Sequence, residues 1–322
     1  MSVHTPAWNA RLTCTKCRAG LGDCLRRAGS QAPVQEVRCG CCGAIYKVED
    51  GILNFHVRDA FYDEHGFTTT GRDFRNNIFG RLGLYYARHH YLYEIHRTVA
   101  SGSAVIEIGC GGGSRYLASR YDMLGIEVSA SSVRQARHTY PSVVQATIAE
   151  LPCASLCADA IVSSCVLEHL DDHIIRRCFA EMARVLRPGG VMVHFLDLDG
   201  EDSFFRWAKR QEWFEGIFVT SKGHLGLRPL GEWQTLFEAA GFRIERRRLF
   251  CKTWLQDLSI WAALDDPRVR GFPRYLGSAA SGIRRAVGQT SDVVVTMIHD
   301  CVDRWLPDRW AAKAILQLRK VS

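Results

Sequence analysis

No apolar run in this chain of 322 residues reaches the ~20 residues that a membrane-spanning helix requires. The first twelve residues, Met1 to Leu12, hold no apolar h-region, so no secretory signal is expected. Proline is scarce, and neither an internal repeat nor a low-complexity tract is present. With 47% hydrophobic and 23% charged residues, the composition excludes global disorder, collagen-like repeats and coiled coil. Cysteine is the exception to this plainness: there are 13, a high and odd number. A secreted disulfide framework is normally small and even-numbered. A long chain without a signal points to reduced thiols in the cytoplasm, some of them binding metal.

Charge is unevenly placed. Residues 241–322 carry 15 Lys/Arg against 8 Asp/Glu, whereas residues 1–240 carry 26 of each. The whole surplus of +7 therefore lies in the C-terminal quarter. A surplus of that size fits a solvated helical face, and also an anionic substrate, a membrane surface or a nucleic acid.

Three zones follow one another. Residues 1–56 are rich in Cys and Gly and end in Ala44-Ile-Tyr-Lys-Val48 and Ile52-Leu-Asn-Phe55, short strands around turns. Residues 57–83 read as a linker or cap, and a helix is expected from Leu84 to Ala100. From Ala104 strands and helices alternate. Strands are expected at Ala104–Ile108, Met123–Val128, Val143–Thr147, Ala158–Ser164, Val191–Leu196 and Phe242–Phe250. Helices are expected at Arg115–Arg120, from Ser129–Ser132 to Thr139, at Asp172–Leu186 and at Glu232–Ala240. That alternation means βαβ units and a parallel sheet. Residues 251–309 read as a helical insertion, and Ala314–Lys320 as a closing edge strand.

The sharpest feature is Val105-Ile-Glu-Ile-Gly-Cys-Gly-Gly-Gly113. Gly109, Gly111 and Gly113 follow a strand directly, where glycine permits a tight turn and a close approach to a ligand. Glu107 precedes the loop, and Glu127 ends the next strand, where a carboxylate can accept both hydroxyls of a ribose. Dinucleotide enzymes use G-x-G-x-x-G/A, but the sixth position here is Ser114. Residues 104–250 resemble class I S-adenosylmethionine-dependent methyltransferases, close to the type 11 group. The resemblance rests on Val105–Gly113, Gly125–Val128, Glu150-Leu-Pro152, Asp159–Leu170, Leu186-Arg-Pro-Gly-Gly190 and Glu238–Phe242.

The resemblance implies a Rossmann-like α/β sheet with helices on both faces and S-adenosyl-L-methionine as cofactor. Glu107, Gly109, Gly111 and Gly113 would hold the methionine end and the sugar. Glu127 would hold the ribose, Val128 would lie against adenine, and Ala149, Glu150 and Leu151 would line the adenine pocket. Relatives place an acid near the position of Thr147, so adenine recognition here falls to backbone groups or to Glu150. On the acceptor side the candidates are His169, Asp197 and His224, where a base is needed only if the acceptor loses a proton. A packing role for His169 is the alternative. His194, inside a strand, reads as core, and Cys110 as packed. No Asn/Asp-Pro-Pro-aromatic motif follows the strand ending at Ser164, which argues against amino-methylation of adenine or glutamine.

Cys14-Thr-Lys-Cys17 and Cys39-Gly-Cys-Cys42 form two C-x2-C knuckles. Four thiolates at Cys14, Cys17, Cys39 and Cys42 complete a structural zinc site, with Cys41 an alternative to Cys42 and Cys24 spare. Cys39 to Ile52 also resembles a small zinc-ribbon family that includes an activator subunit of RNA and protein methyltransferases. The division expected is a zinc-ribbon domain at 1–56, a linker or cap at 57–83, and a methyltransferase domain at 84–322 with the insertion 251–309. Three functions remain open. The first is methyl transfer to a small molecule, sugar or lipid-linked glycan, with Trp254, Trp261, Trp305 and Trp310 shaping a pocket or touching a membrane. The second is methylation of an RNA base. The third is a non-catalytic partner that binds the cofactor.

Overall fold

The computed structural model describes residues 6–29, 35–55, 87–253, 258–287 and 289–321. The expected linker 57–83, the start of the helix at Leu84 and Trp254 lie outside the described residues.

Ten strands form one sheet: β1 (Glu36–Arg38), β2 (Ile45–Glu49), β3 (Ile52–Asn54), β4 (Ala104–Ile108), β5 (Asp122–Glu127), β6 (Ser142–Gln145), β7 (Ala158–Ser164), β8 (Leu186–Asp197), β9 (Phe242–Phe250) and β10 (Lys313–Lys320). Their order is β1-β2-β3-β6-β5-β4-β7-β8-β10-β9. From β3 to β8 neighbouring strands run parallel. β4 and β6 are buried along their whole length, as strands covered on both faces must be. Their apolar residues Val105, Ile106, Ile108, Val143 and Val144 fill the core, and the buried polar exceptions are Glu107, Ser142 and Gln145. The chain leaves β4 toward β5 on one side and later toward β7 on the other. Ligands bind beyond the carboxyl ends of the strands at such a reversal, so Gly109–Gly113 sits at the expected place.

Two expectations needed correction. β10 is not an edge strand. It lies antiparallel between β8 and β9, leaving β9 at the edge. The alternation of an edge strand and of an interior one is similar, so position was not readable. The segment at Arg187-Pro-Gly-Gly190 does stop the preceding helix, but it belongs to the start of β8.

The helix Asp172–Val185 shows why these residues form these elements. Asp171 accepts the Ile174 N–H at 2.8 Å and caps it. Ile175, Cys178, Phe179, Met182 and Val185 recur at helical spacing and are buried against the sheet.

The N-terminal zone does not stand apart. β3 pairs in parallel with β6, Leu53 opposite Val144. Trp8, Leu12, Leu21 and Tyr46 pack into the same core as Ile106, Leu124 and Val144. Trp8 Nε1 donates to the Asp122 carbonyl at 3.2 Å. The Thr13 N–H donates to the Pro152 carbonyl at 3.0 Å, and Arg18 Nη1 to that of Leu151 at 2.9 Å.

Between β9 and β10 lie the helices Leu258–Ala262, Phe272–Val287 and Gln289–Val302. Phe272–Val287 buries only Gly277 and Ala280. A side chain at Gly277 would run into the backbone of Leu264 and Asp265. On the other face Phe272, Leu276, Ile283 and Val287 recur at helical spacing and are exposed, Phe272 by 72% and the neighbouring Tyr275 by 75%.

Candidate active site

The loop after β4 takes its shape from glycine. Gly109, Gly111 and Gly113 have φ of +60°, +51° and +77°, the left-handed region that side chains disfavour. A Cβ on Gly109 would lie 2.5 Å from Val166 Cγ2, and one on Gly113 3.1 Å from Thr139. The loop is thus wedged between the segment after β7 and the segment before β6.

Glu107 is buried and accepts a hydrogen bond from the Tyr140 hydroxyl. Tyr140 in turn accepts the Ser114 N–H at 2.9 Å. Burial and the Glu107 charge keep the Tyr140 pKa well above the ordinary phenol range, so it remains a donor. Glu127 closes the other side. Its Oε2 accepts the Gly111 N–H at 2.9 Å, and its Oε1 accepts those of Val128 and Ser129 at 2.8 and 3.0 Å. Burial raises the Glu127 pKa, while these three donors oppose the shift. The Val128 carbonyl accepts from Gln145 Nε2 at 2.9 Å, which fixes the residue after the carboxylate. Ala149 is buried and Glu150 half-buried. Leu151 is fully buried, with its N–H on Glu181 and its carbonyl on Arg18 and Arg184, so it anchors this loop to the core.

The acceptor-side candidates converge. After β7 the chain turns at Cys165, whose φ of +55° is strained for a non-glycine residue. It then forms the short turn Leu167–His169. The His169 and His224 rings lie 4.9 Å apart, and His224 Nε2 is 3.9 Å from Asp197 Oδ2 at the end of β8. The loop carrying His224 is drawn in at Gly226, whose N–H donates to the Glu168 carbonyl at 2.9 Å. Arg228, buried, clamps it by bonding the Gly226 carbonyl and Asp172. Glu168 is fully buried close to the two histidines, and its Oε1 accepts the Asp197 N–H at 3.1 Å. Burial, with the Asp197 charge beside it, pushes the Glu168 carboxyl up to about 8. Burial lowers the pKa of both His169 and His224, so both imidazoles are neutral near pH 7. Asp199 is turned to an ion pair with Lys209.

A family model described as "Methyltransferase domain" matches residues 106–194, from β4 to β8. The chain carries a class I S-adenosylmethionine-dependent methyltransferase domain. Two strains of Mycobacterium tuberculosis each contain a protein named "Probable S-adenosylmethionine-dependent methyltransferase" that is 31% identical over 114 residues, 34% of this chain and 41% of that protein. A mouse tRNA (carboxymethyluridine(34)-5-O)-methyltransferase is 30% identical over 125 residues, 38% of this chain and 17% of that protein. The chain thus spans less than half the length of these curated relatives. A solved Haemonchus contortus phosphoethanolamine N-methyltransferase 2 with S-adenosyl-L-methionine aligns at 16% identity and a TM-score of 0.47, over 72% of this chain and 52% of that one.

Within this methyltransferase domain, His194 is fully buried, bonded to Ser163 Oγ at 2.7 Å, and pushed down to about 3 by burial, as a core residue. Cys110 is buried, and burial raises its thiol pKa. Tyr140 and Glu168 were not singled out by the sequence reading. Tyr140 carries no local signal, since only the fold brings it to Glu107. Glu168 has one: it adjoins His169 directly after a strand.

Away from this cleft, the four cysteines Cys14, Cys17, Cys39 and Cys42 bring their sulfurs within 4.8 Å of one another. Cys14 lies 3.6 Å from Cys42 and Cys17 3.6 Å from Cys39. Cys41 is exposed and outside the group. The Tyr46 hydroxyl accepts the Thr15 N–H at 3.1 Å and so braces the first knuckle.

Proposed function

We propose that this chain is an S-adenosylmethionine-dependent methyltransferase that methylates a hydroxyl group of an acceptor presented at a membrane surface, a lipid-linked glycan being the class that fits best. The observation that carries the reading is the meeting of His169, Asp197 and His224 beside the glycine loop, which Val166 joins to Gly109. Transfer from a sulfonium needs mainly alignment. A hydroxyl acceptor must also lose a proton, and neutral imidazoles and a carboxylate are the groups that receive one. The methyl–sulfur bond breaks as the methyl–oxygen bond forms, leaving S-adenosylhomocysteine and a methyl ether.

Glu107 and the glycine loop would hold the amino acid and sugar of the cofactor, Glu127 the ribose hydroxyls, and Val128, Ala149 and Glu150 the adenine. Four thiolates on Zn²⁺ at ~2.3 Å place sulfurs about 3.8 Å apart, close to the 3.6 Å pairs here. We assign Zn²⁺ to Cys14, Cys17, Cys39 and Cys42, as a closed structural site. Such thiolates belong in a reducing compartment, the cytoplasm.

The membrane assignment rests on the exposed stripe Phe272, Leu276, Ile283 and Val287, flanked by exposed Arg274, Arg284 and Arg285. No helix among the described residues is long and apolar enough to cross a membrane, so the stripe would lie in the interface. The full chain should sediment with vesicles of phosphatidylcholine and phosphatidylglycerol. Phe272→Glu combined with Ile283→Glu should weaken that binding by about tenfold or more, from the lost apolar burial. Retention on total RNA in a salt-sensitive manner, with no vesicle binding, would favour the RNA reading instead.

A further inference from the structure

Resting on the hydroxyl-transfer reading, we propose that Glu168, His169 and His224 hold a divalent transition-metal ion that binds the acceptor oxygen. Three observations carry this. One donor atom from each of these residues lies within 4.8 Å of the other two, and Cys165, Glu168 and Asp197 form a second such group that shares Glu168.

The imidazoles are also oriented as ligands are. His169 Nδ1 bonds the Gly223 carbonyl at 3.0 Å, and His224 Nδ1 bonds the Phe218 carbonyl at 3.0 Å. A carbonyl only accepts, so each Nδ1 carries the proton and each Nε2 presents its lone pair. Fixing a ring through its distal N–H is how metal-binding histidines are set.

Glu168 is the third observation. It is fully buried, its Oε1 takes the Asp197 N–H and the weakly donating Cys165 thiol faces the carboxyl, while its Oε2 meets no N–H or O–H donor among the described residues. A buried carboxylate oxygen without a partner costs stability unless something satisfies it. Beside it stands Asp197, so two carboxyl groups and two lone-pair nitrogens meet in one place, and a dication there would favour Glu168 in its charged, ligating form.

Two imidazoles with a carboxylate suit Mn²⁺, Fe²⁺ or Zn²⁺ and leave positions open for other oxygens. An acceptor with two adjacent oxygens, such as a vicinal diol of a sugar, would chelate there. Binding to the cation acidifies the acceptor hydroxyl. Its proton passes to Asp197, which is half-exposed and returns it to water, and the oxygen attacks the methyl carbon as the methyl–sulfur bond breaks. The metal changes neither oxidation state nor ligand count in that step. The imidazoles then act by holding the ion rather than by taking the proton themselves.

The test is a Mn²⁺ titration of the full chain with its cysteine site already zinc-loaded, following free Mn²⁺ by electron paramagnetic resonance. One ion should bind per chain. His224→Ala and the isosteric Glu168→Gln should each weaken binding by roughly 10–100-fold, with thermal midpoints confirming that both fold. Calorimetric binding of S-adenosylhomocysteine should stay unchanged in both. No uptake of Mn²⁺ by the parent protein, or equal uptake by folded Glu168→Gln, would overturn the metal site. Retained S-adenosylhomocysteine binding would then leave the methyltransferase reading standing, whereas its loss in the parent protein would strike that reading and not this one.

Discussion

Glu127→Ala should lower the affinity for S-adenosylmethionine by about two orders of magnitude or more. Its carboxylate stands at the end of β5, where a ribose would meet both oxygens. Hydrogen bonds to a charged group contribute about 1.5–3 kcal/mol each, and two of them account for that loss. The same carboxylate gathers the N–H groups of Gly111, Val128 and Ser129. Alanine would therefore also release the loop that the cofactor must meet. Glu127→Gln, which keeps the shape and one carbonyl, should fall between. Calorimetry with S-adenosylmethionine and S-adenosylhomocysteine measures both, and unchanged affinity in the alanine variant would remove the ribose assignment.

The pH dependence has a definite sign. Burial raises the Glu127 pKa in the folded chain. For stability, a raised acid favours the fold below its unfolded pKa, and that contribution is lost as pH rises through the folded value. Cofactor binding runs the other way, because it needs the carboxylate. Affinity should fall on acidification, at a higher pH than an ordinary carboxylate would give.

Cys39→Ser should remove most of the zinc and lower the thermal midpoint by many degrees. Cys39 is buried, and its sulfur sits in the four-cysteine group. Binding to an isolated zinc finger supplies about 10–16 kcal/mol of folding free energy. The effect here should be smaller, because Trp8, Leu12 and Leu21 also pack into the main core. Cys41→Ser should do nothing, since Cys41 lies outside the group. Metal content and melting curves test both variants. Protein from zinc-supplemented medium that contained no zinc would end the assignment.

Much of this was legible from local pattern. The strand Ala158–Ser164, the strand Phe242–Phe250 and the glycine loop were readable because an apolar run, a partial alternation and a cluster of glycines after a strand are properties of adjacent residues. The approach of His169, Asp197 and His224 was readable only as a set of strand-end and loop positions, since spacing along the chain does not fix distance across a cleft. The Tyr140–Glu107 bond, the interior place of β10 and the pairing of β3 with β6 were not legible. Each joins residues far apart in sequence, and a strand's alternation does not name its neighbour.

The docking of the first knuckle has a further consequence. Thr13 and Arg18 bond the carbonyls of Pro152 and Leu151, directly after Ala149 and Glu150. The residues that would hold the metal and those that would face the adenine are therefore one mechanical unit. Two ligands that order the same loop must help each other to equal extents. Saturating S-adenosylhomocysteine should slow the release of zinc to a colorimetric chelator, and zinc-depleted protein should bind the nucleoside more weakly while still folded. An equal release rate with and without S-adenosylhomocysteine would show the two sites to be independent. With that coupling, the cysteine module becomes a gauge of zinc supply: a cell short of the metal would lose methylation before it lost the protein.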